Sequence, residues 1–125
     1  MKAELRVPKY GAAKLMARID SSDVFKNVGA LWPSGYVFRL TADGHWDLLT
    51  TSYERPAVTL ASGLTDMNSQ WHRAEIHCHG SLVSVYLNSQ RLAEVNDLSH
   101  THGMFGLGSD WSRVQFDNLS VTSVL

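Results

Sequence analysis

The chain has a single cysteine, Cys78, so no intrachain disulfide can hold it together and stability must come from packing. It has no excess of charge: 11 Lys and Arg against 12 Asp and Glu give a formal net charge of −1. That leaves no electrostatic footprint for nucleic acid or an anionic membrane. No apolar run approaches the ~20 residues that span a bilayer, and residues 1–20 lack the apolar core of a signal peptide. Such a chain stays in the cytoplasm as written, unless it is cut from a secreted precursor. There is no Gly-x-Ser-x-Gly elbow, no Walker pattern and no dinucleotide glycine pattern. The GxG at Gly106-Leu107-Gly108 runs between strands rather than into a helix. Sustained helical periodicity is also missing.

What is present reads as one β domain spanning residues 1–125. Hydrophobic residues are 44% and charged residues 18%, an ordinary globular balance with enough apolar surface for a single core. No repeat, low-complexity tract or linker divides it. Polar and apolar residues alternate with period two. Ala3, Leu5 and Val7 alternate with Glu4 and Arg6, and Pro8–Gly11 turns the chain. Leu15, Ala17 and Ile19 alternate with Lys14, Met16 and Arg18. A long loop, 20–35, follows. Residues 36–50 form the clearest hairpin, turning at Thr41–His45 with Gly44 at a left-handed position. A second hairpin joins 71–78 to 82–87 through His79-Gly80, and Asn88–Arg91 turns into Leu92–Val95. Short strands at this spacing predict an antiparallel two-sheet sandwich of jelly-roll type.

The stretch Gly103–Val121, GMFGLGSDWSRVQFDNLSV, predicts two more strands around a polar turn at Ser109-Asp110. Glycines in the first mark a bend or a close backbone approach. In the second, alternation places Asp117 on the same face as Leu119 and Val121. A carboxylate buried there needs a cation or backbone N–H groups as partner.

Residues that could carry chemistry are sparse. His77-Cys78-His79 puts two imidazoles on one strand face, a spacing that strand-based zinc sites use. Arg73 and Glu75 share that parity, so a solvated face is the expectation. His100-Thr101-His102 repeats the pattern in a loop. A metal-dependent hydrolase built on these histidines is the weakest reading, because two visible ligands fall short of three or four. Cys78 shares the parity of Ala74 and Ile76 and should pack inward. Glu54, Asp66, Glu94 and Asp97 lie in or near loops, with nothing to pair any two across a cleft. Catalysis by this chain alone is not expected.

Binding is better supported. Trp32, Tyr36, Tyr53 and Trp111 fall in predicted loops or at strand ends, whereas Trp46 and Trp71 read as core anchors. Sugars stack on aromatic rings while polar side chains bond their hydroxyls. The expected glycan site is therefore Trp32, Tyr36 and Trp111, with Asp110 and Arg113, and a dissociation constant near ~1 mM. It requires the two turns that carry these residues to lie at one end of the sandwich.

The closing stretch, with its glycine-rich strand leading into Phe116-Asp117-Asn118, resembles concanavalin A-like lectin domains. It is most similar to the C-terminal lectin-like domain of galactocerebrosidase-type glycoside hydrolases. Trp71, Gly80, Leu87-Asn88 and Leu92 fall where that domain has its own Trp, turn Gly and Leu-Asn pair. The resemblance implies a lectin-like fold and a carbohydrate or glycoconjugate partner, with catalytic carboxylates on a separate barrel that this chain lacks. At Asp117 it implies a structural calcium ligand, with Asp20 and Asp23 as further contributors. The alternative is Asp117 anchoring a turn or bulge through backbone N–H bonds. Against the family pattern the chain begins part-way into such a domain. It is then a fragment, a trimmed member, or a protomer that covers its open edge as a homo-oligomer. Two functions follow: a non-catalytic carbohydrate-binding module, or a structural assembly domain that pairs with itself or buttresses another chain.

Overall fold

The computed structural model describes residues 1–20, 33–52, 55–110 and 112–122. Among them are ten strands and no helix: β1 (Lys2–Arg6), β2 (Ala12–Ile19), β3 (Gly35–Thr41), β4 (His45–Ser52), β5 (Arg55–Leu64), β6 (His72–His79), β7 (Leu82–Leu87), β8 (Gln90–Asn96), β9 (Met104–Ser109) and β10 (Gln115–Ser120). They form two five-stranded sheets. The front sheet runs β5-β4-β3-β2-β9 and the back sheet β10-β1-β6-β7-β8. Every pairing is antiparallel. This is the expected two-sheet sandwich. No helix among the described residues is long and apolar enough to cross a membrane.

The alternating inward residues of both sheets make the core. Leu5, Leu15, Phe38, Leu40, Ile76 and Val85 are fully buried, each worth roughly 1.5–3 kcal/mol of transfer free energy. Trp46 joins them and meets Phe38 edge-on, with ring centroids 6.5 Å apart. Cys78 packs half-buried against the same cluster, and burial raises its thiol pKa. Trp71 does not join the core: it is 43% exposed, one residue ahead of β6.

The turn chemistry works as read. Gly44 closes the β3–β4 hairpin at φ 94°, its N–H bonding Thr41 O at 3.1 Å. A Cβ there would also sit 2.1 Å from Thr65 O, so the close approach excludes any other residue. Asn88 and Ser89 both have positive φ, 51° and 69°, the two central positions of a type I′ turn between β7 and β8.

One connection is placed by the structure and one expectation is corrected. The strands flanking Ser109-Asp110 do not belong to one sheet. β9 pairs with β2 in the front sheet and β10 pairs with β1 in the back sheet, so that turn is a crossover at the end of the sandwich. Nor does Asp117 face inward with an apolar row. Val114 and Phe116 pack against the core, while Asp117, Leu119 and Val121 are exposed. The reason is parity: Phe116 lies opposite buried Leu5, so Asp117, like Gln115, falls on the solvent face of β10. A bulge follows, Lys2 pairing with Ser120 but Glu4 with Asp117, and Asn118 takes φ 49°. The front sheet also has an edge strand that the sequence pattern does not announce, β5, whose residues are mostly exposed.

Candidate functional site

Strand register builds the site. Across the outward face of the front sheet, Lys14 pairs with Arg39, Arg39 with Asp47, and Asp47 with Ser62. Two like charges side by side, Lys14 and Arg39, repel unless an anion is shared between them. Asp110, delivered by the crossover, is that anion. Its carboxylate lies 2.6 Å from Lys14 Nζ and 3.4 Å from Arg39 Nη1, and its backbone N–H bonds Ala12 O at 3.2 Å. Arg39 Nη2 reaches Asp47 at 3.3 Å. The Arg39 Nε and Asp47 Oδ1 atoms remain buried without a hydrogen-bond partner among the described residues.

This row borders a cleft of about 1220 Å³ at the end of the sandwich. Its rim comes from the β1–β2 turn (Lys9, Tyr10, Gly11), the β3–β4 hairpin (Asp43, His45) and the segment between β5 and β6 (Asn68, Ser69). Trp46 forms part of its wall, lying over Gly63, where a Cβ would come within 3.0 Å of the indole ring. Tyr10 is the exposed aromatic. It is 90% accessible, held at φ 65° by a turn that Gly11 N–H closes on Pro8 O at 2.8 Å, with Lys9 Nζ 5.1 Å from its ring. Left-handed backbone at a non-glycine residue is strained, and such strain clusters at ligand clamps. Hydrogen bonds from Thr41 and His45 hold the Asp43 carboxyl far below its usual range.

The expected site residues scatter. Trp32 and Trp111 lie outside the described residues, as do Tyr53, Glu54 and Asp23. Tyr36 is in β3 and 0% exposed, so its ring offers no face to a sugar. It also sits at the opposite end of the front sheet from Asp110, separated by the length of β2, roughly 20 Å. Gly35 and Tyr36, at the start of β3, therefore lie at the far end from Asp110. Arg113 is exposed beyond the crossover. Among the described residues of the expected set, Asp110 is the one that lines the cleft. One signal could have found more: a hairpin turning at 41–45 forces Arg39 opposite Asp47.

At the far end, polar groups tie the two sheets together. Tyr36 OH donates to Asp97 Oδ1 at 2.7 Å and receives the His100 N–H at 3.3 Å. Its ring meets the His100 ring edge-on at 5.1 Å. Arg18 Nη1 donates to Gly80 O and His100 O at 2.7 and 3.0 Å. Burial, aided by the bond to Asp97, pushes the Tyr36 phenol up to about 12. Burial disfavours the Asp97 charge, yet bonds from Tyr36 and Ser99 outweigh it and lower the carboxyl pKa. Gly103 presses against Arg18 at φ 147°, where a Cβ would lie 2.4 Å from the Arg18 carbonyl carbon.

His77 lies on the outer face of the back sheet, 3.2 Å from Glu75 and stacked on Tyr86, and His79 is exposed beside it. No three His, Cys, Asp or Glu side chains converge among the described residues. Asp117 accepts the Asn118 N–H at 2.8 Å, and Asn118 Nδ2 donates to Glu4 at 2.9 Å. That is the bulge-anchor geometry. Among the described residues these two carboxylates, each accepting an N–H of Asn118, fall short of the six to eight oxygens that calcium takes. Asp20 follows β2 of the front sheet, its N–H bonding Ser34 O at 2.9 Å, and β10 belongs to the back sheet.

Comparison with known proteins agrees with this architecture. Residues 4–124 match the family model described as galactocerebrosidase, C-terminal lectin domain. The chain belongs to that family of lectin domains. Among solved structures, the carbohydrate-binding module CBM66 from Bacillus subtilis superposes with a TM-score of 0.74 at 19% identity, over 94% of this chain and 70% of that one. At that identity the likeness establishes the fold. No curated protein matches the sequence.

Proposed function

We propose that the domain is a carbohydrate-binding module whose glycan site is the end cleft. The observation that carries this reading is the combination around it: a nearly fully exposed ring, Tyr10, on a strained turn, lining the same cleft as a row of paired charges. A ring held in place loses little entropy on stacking against a sugar. The polar groups of the row donate to and accept from hydroxyls. Lys9, Lys14 and Arg39 are offset by Asp43, Asp47 and Asp110, so the cleft favours a neutral, hydroxyl-rich ligand over a uronate or sialylated one. Its volume exceeds the ~300–1,000 Å³ of ordinary small-molecule pockets, room for more than one sugar ring. Affinity near ~1 mM suits an open site with one stacking ring.

An array of neutral and acidic oligosaccharides tests the reading. Binding should concentrate on neutral glycans and weaken sharply in Tyr10→Ala and Asp110→Ala. A wild-type chain that binds no glycan, or only acidic ones, ends it.

A second reading, self-association, is favoured by one observation. Phe105 on β9 and Val121 beyond β10 line a groove of about 530 Å³, and Leu119 beside them is 53% exposed. Exposed apolar groups on edge strands invite pairing. Light scattering at high micromolar concentration should then give a dimer that Leu119→Glu dissociates. A monomer would leave the glycan reading alone.

A further inference from the structure

We propose that Asn68 contacts the ligand, its amide locked so as to present a hydrogen-bond donor to the cleft, and that His72 and Asn88 are positioning residues behind it. This rests on the cleft being the glycan site. The chain of hydrogen bonds leaves one assignment of protons. The backbone N–H of Arg73 donates to Asn88 Oδ1 at 2.9 Å, which fixes that amide with its NH₂ toward His72. Asn88 Nδ2 lies 2.9 Å from His72 Nδ1. An NH₂ only donates, so Nδ1 accepts and the ring proton sits on Nε2. Nε2 then donates to Asn68 Oδ1 at 2.9 Å. The Gln70 N–H donates to the same oxygen at 2.9 Å. With two donors on its oxygen, the Asn68 amide cannot flip without setting its NH₂ against both.

The Asn68 NH₂ is what remains. Asn68 is exposed, lines the cleft, and its Nδ2 has no partner among the described residues. The segment carrying it is fastened on both sides. Thr65 N–H bonds Gly44 O at 2.8 Å, and Arg6 Nε donates to Ser69 O at 2.7 Å. His72 itself is 9% exposed in the first position of β6, so the relay is anchored in the back sheet. A preset donor on a cleft wall selects an acceptor oxygen, in a neutral glycan a hydroxyl, ring or acetamido oxygen. A ligand lacking that oxygen leaves the donor unpaired, and unpaired polar groups discriminate more strongly than missing apolar contact.

Asn68→Asp is the sharpest variant. It keeps the shape and both accepting bonds to His72 and Gln70 but removes the donor. Titrating the strongest neutral oligosaccharide from the array should show binding roughly tenfold or more weaker in Asn68→Asp, with the melting temperature held. Asn88→Gly, which suits the positive φ, should weaken binding several-fold by freeing the His72 ring. Independently of any ligand, a long-range ¹H–¹⁵N spectrum of the wild type should show His72 as the neutral Nε2–H tautomer. The other tautomer, or rapid averaging of the two, overturns the relay. Undiminished binding in Asn68→Asp alongside its loss in Asp110→Ala overturns the Asn68 contact and leaves the cleft standing. Absence of glycan binding by the wild type overturns the cleft itself and the contact with it.

Discussion

The two ends of the front sheet use similar residues to opposite purposes. At the far end, Tyr36, Asp97 and Arg18 bond one another or backbone carbonyls of the back sheet, with Arg18 spanning from β2 to Gly80. The Arg18 partners are main-chain carbonyls that cannot leave, so these polar groups act as a clasp between sheets. At the cleft end, Lys14, Arg39, Asp47 and Asp110 pair through their side chains around an open volume, and buried atoms on Arg39 and Asp47 lack a partner among the described residues. Side-chain pairs at a surface contribute little to stability. Polar groups directed into a cavity are available to a ligand. The lesson is that the destination of a polar group, carbonyl or cavity, separates structure from binding better than its chemical type.

That contrast can be broken at its strongest point first. Tyr36→Ala should cost about 3–5 kcal/mol in urea denaturation, and Tyr36→Phe about 1–3 kcal/mol, since the latter takes from Asp97 one of its two donors and leaves the His100 N–H without its acceptor. Glycan binding should survive in Tyr36→Phe. Loss of binding at unchanged stability would reverse the roles of the two ends. At the cleft end, Tyr10→Ala and Asp110→Ala should weaken glycan binding roughly tenfold, while calorimetry finds stability within about 1 kcal/mol of wild type.

A pH series sharpens the far end. The Tyr36 phenol ionises near 12 in the folded chain against about 10 in the unfolded one. Between these values the folded state holds the extra proton, so stability must fall as pH rises from 10 to 12 and is fully present below 10. Urea midpoints at pH 9 and pH 11 should show a drop that Tyr36→Phe reduces. The smallest effect is expected away from both ends. Adding a chelator, or replacing Asp117 by Asn, should move stability by less than about 0.5 kcal/mol, because the exposed carboxylate serves a bulge. A clear fall in melting temperature with chelator would reinstate calcium.

Much of the sandwich was legible because its signals are local. Gly44, Gly80 and Asn88 sit where a turn needs a left-handed residue, and the alternation of β2, β3, β4 and β7 fixes their inward rows. Edge strand β5 escaped notice because both its faces are largely exposed and carry no period-two pattern. Trp71 read as core on ring size alone, while its position ahead of β6 leaves it at the surface.

The sequence by itself determined the fold class, the hairpins, the buried rows and the family, all of which rest on residues near one another in the chain. Only the tertiary structure decided which sheet each closing strand joins, that the face of β10 carrying Asp117 looks to solvent, and that Tyr36 and Asp110 lie at opposite ends. It alone gathered Tyr10, Arg39, Asn68 and Asp110 around one cleft. The physical reason is range. A turn or an alternation is settled over a few residues, whereas a binding site is made by strand order and register, which depend on how the whole chain buries its apolar faces.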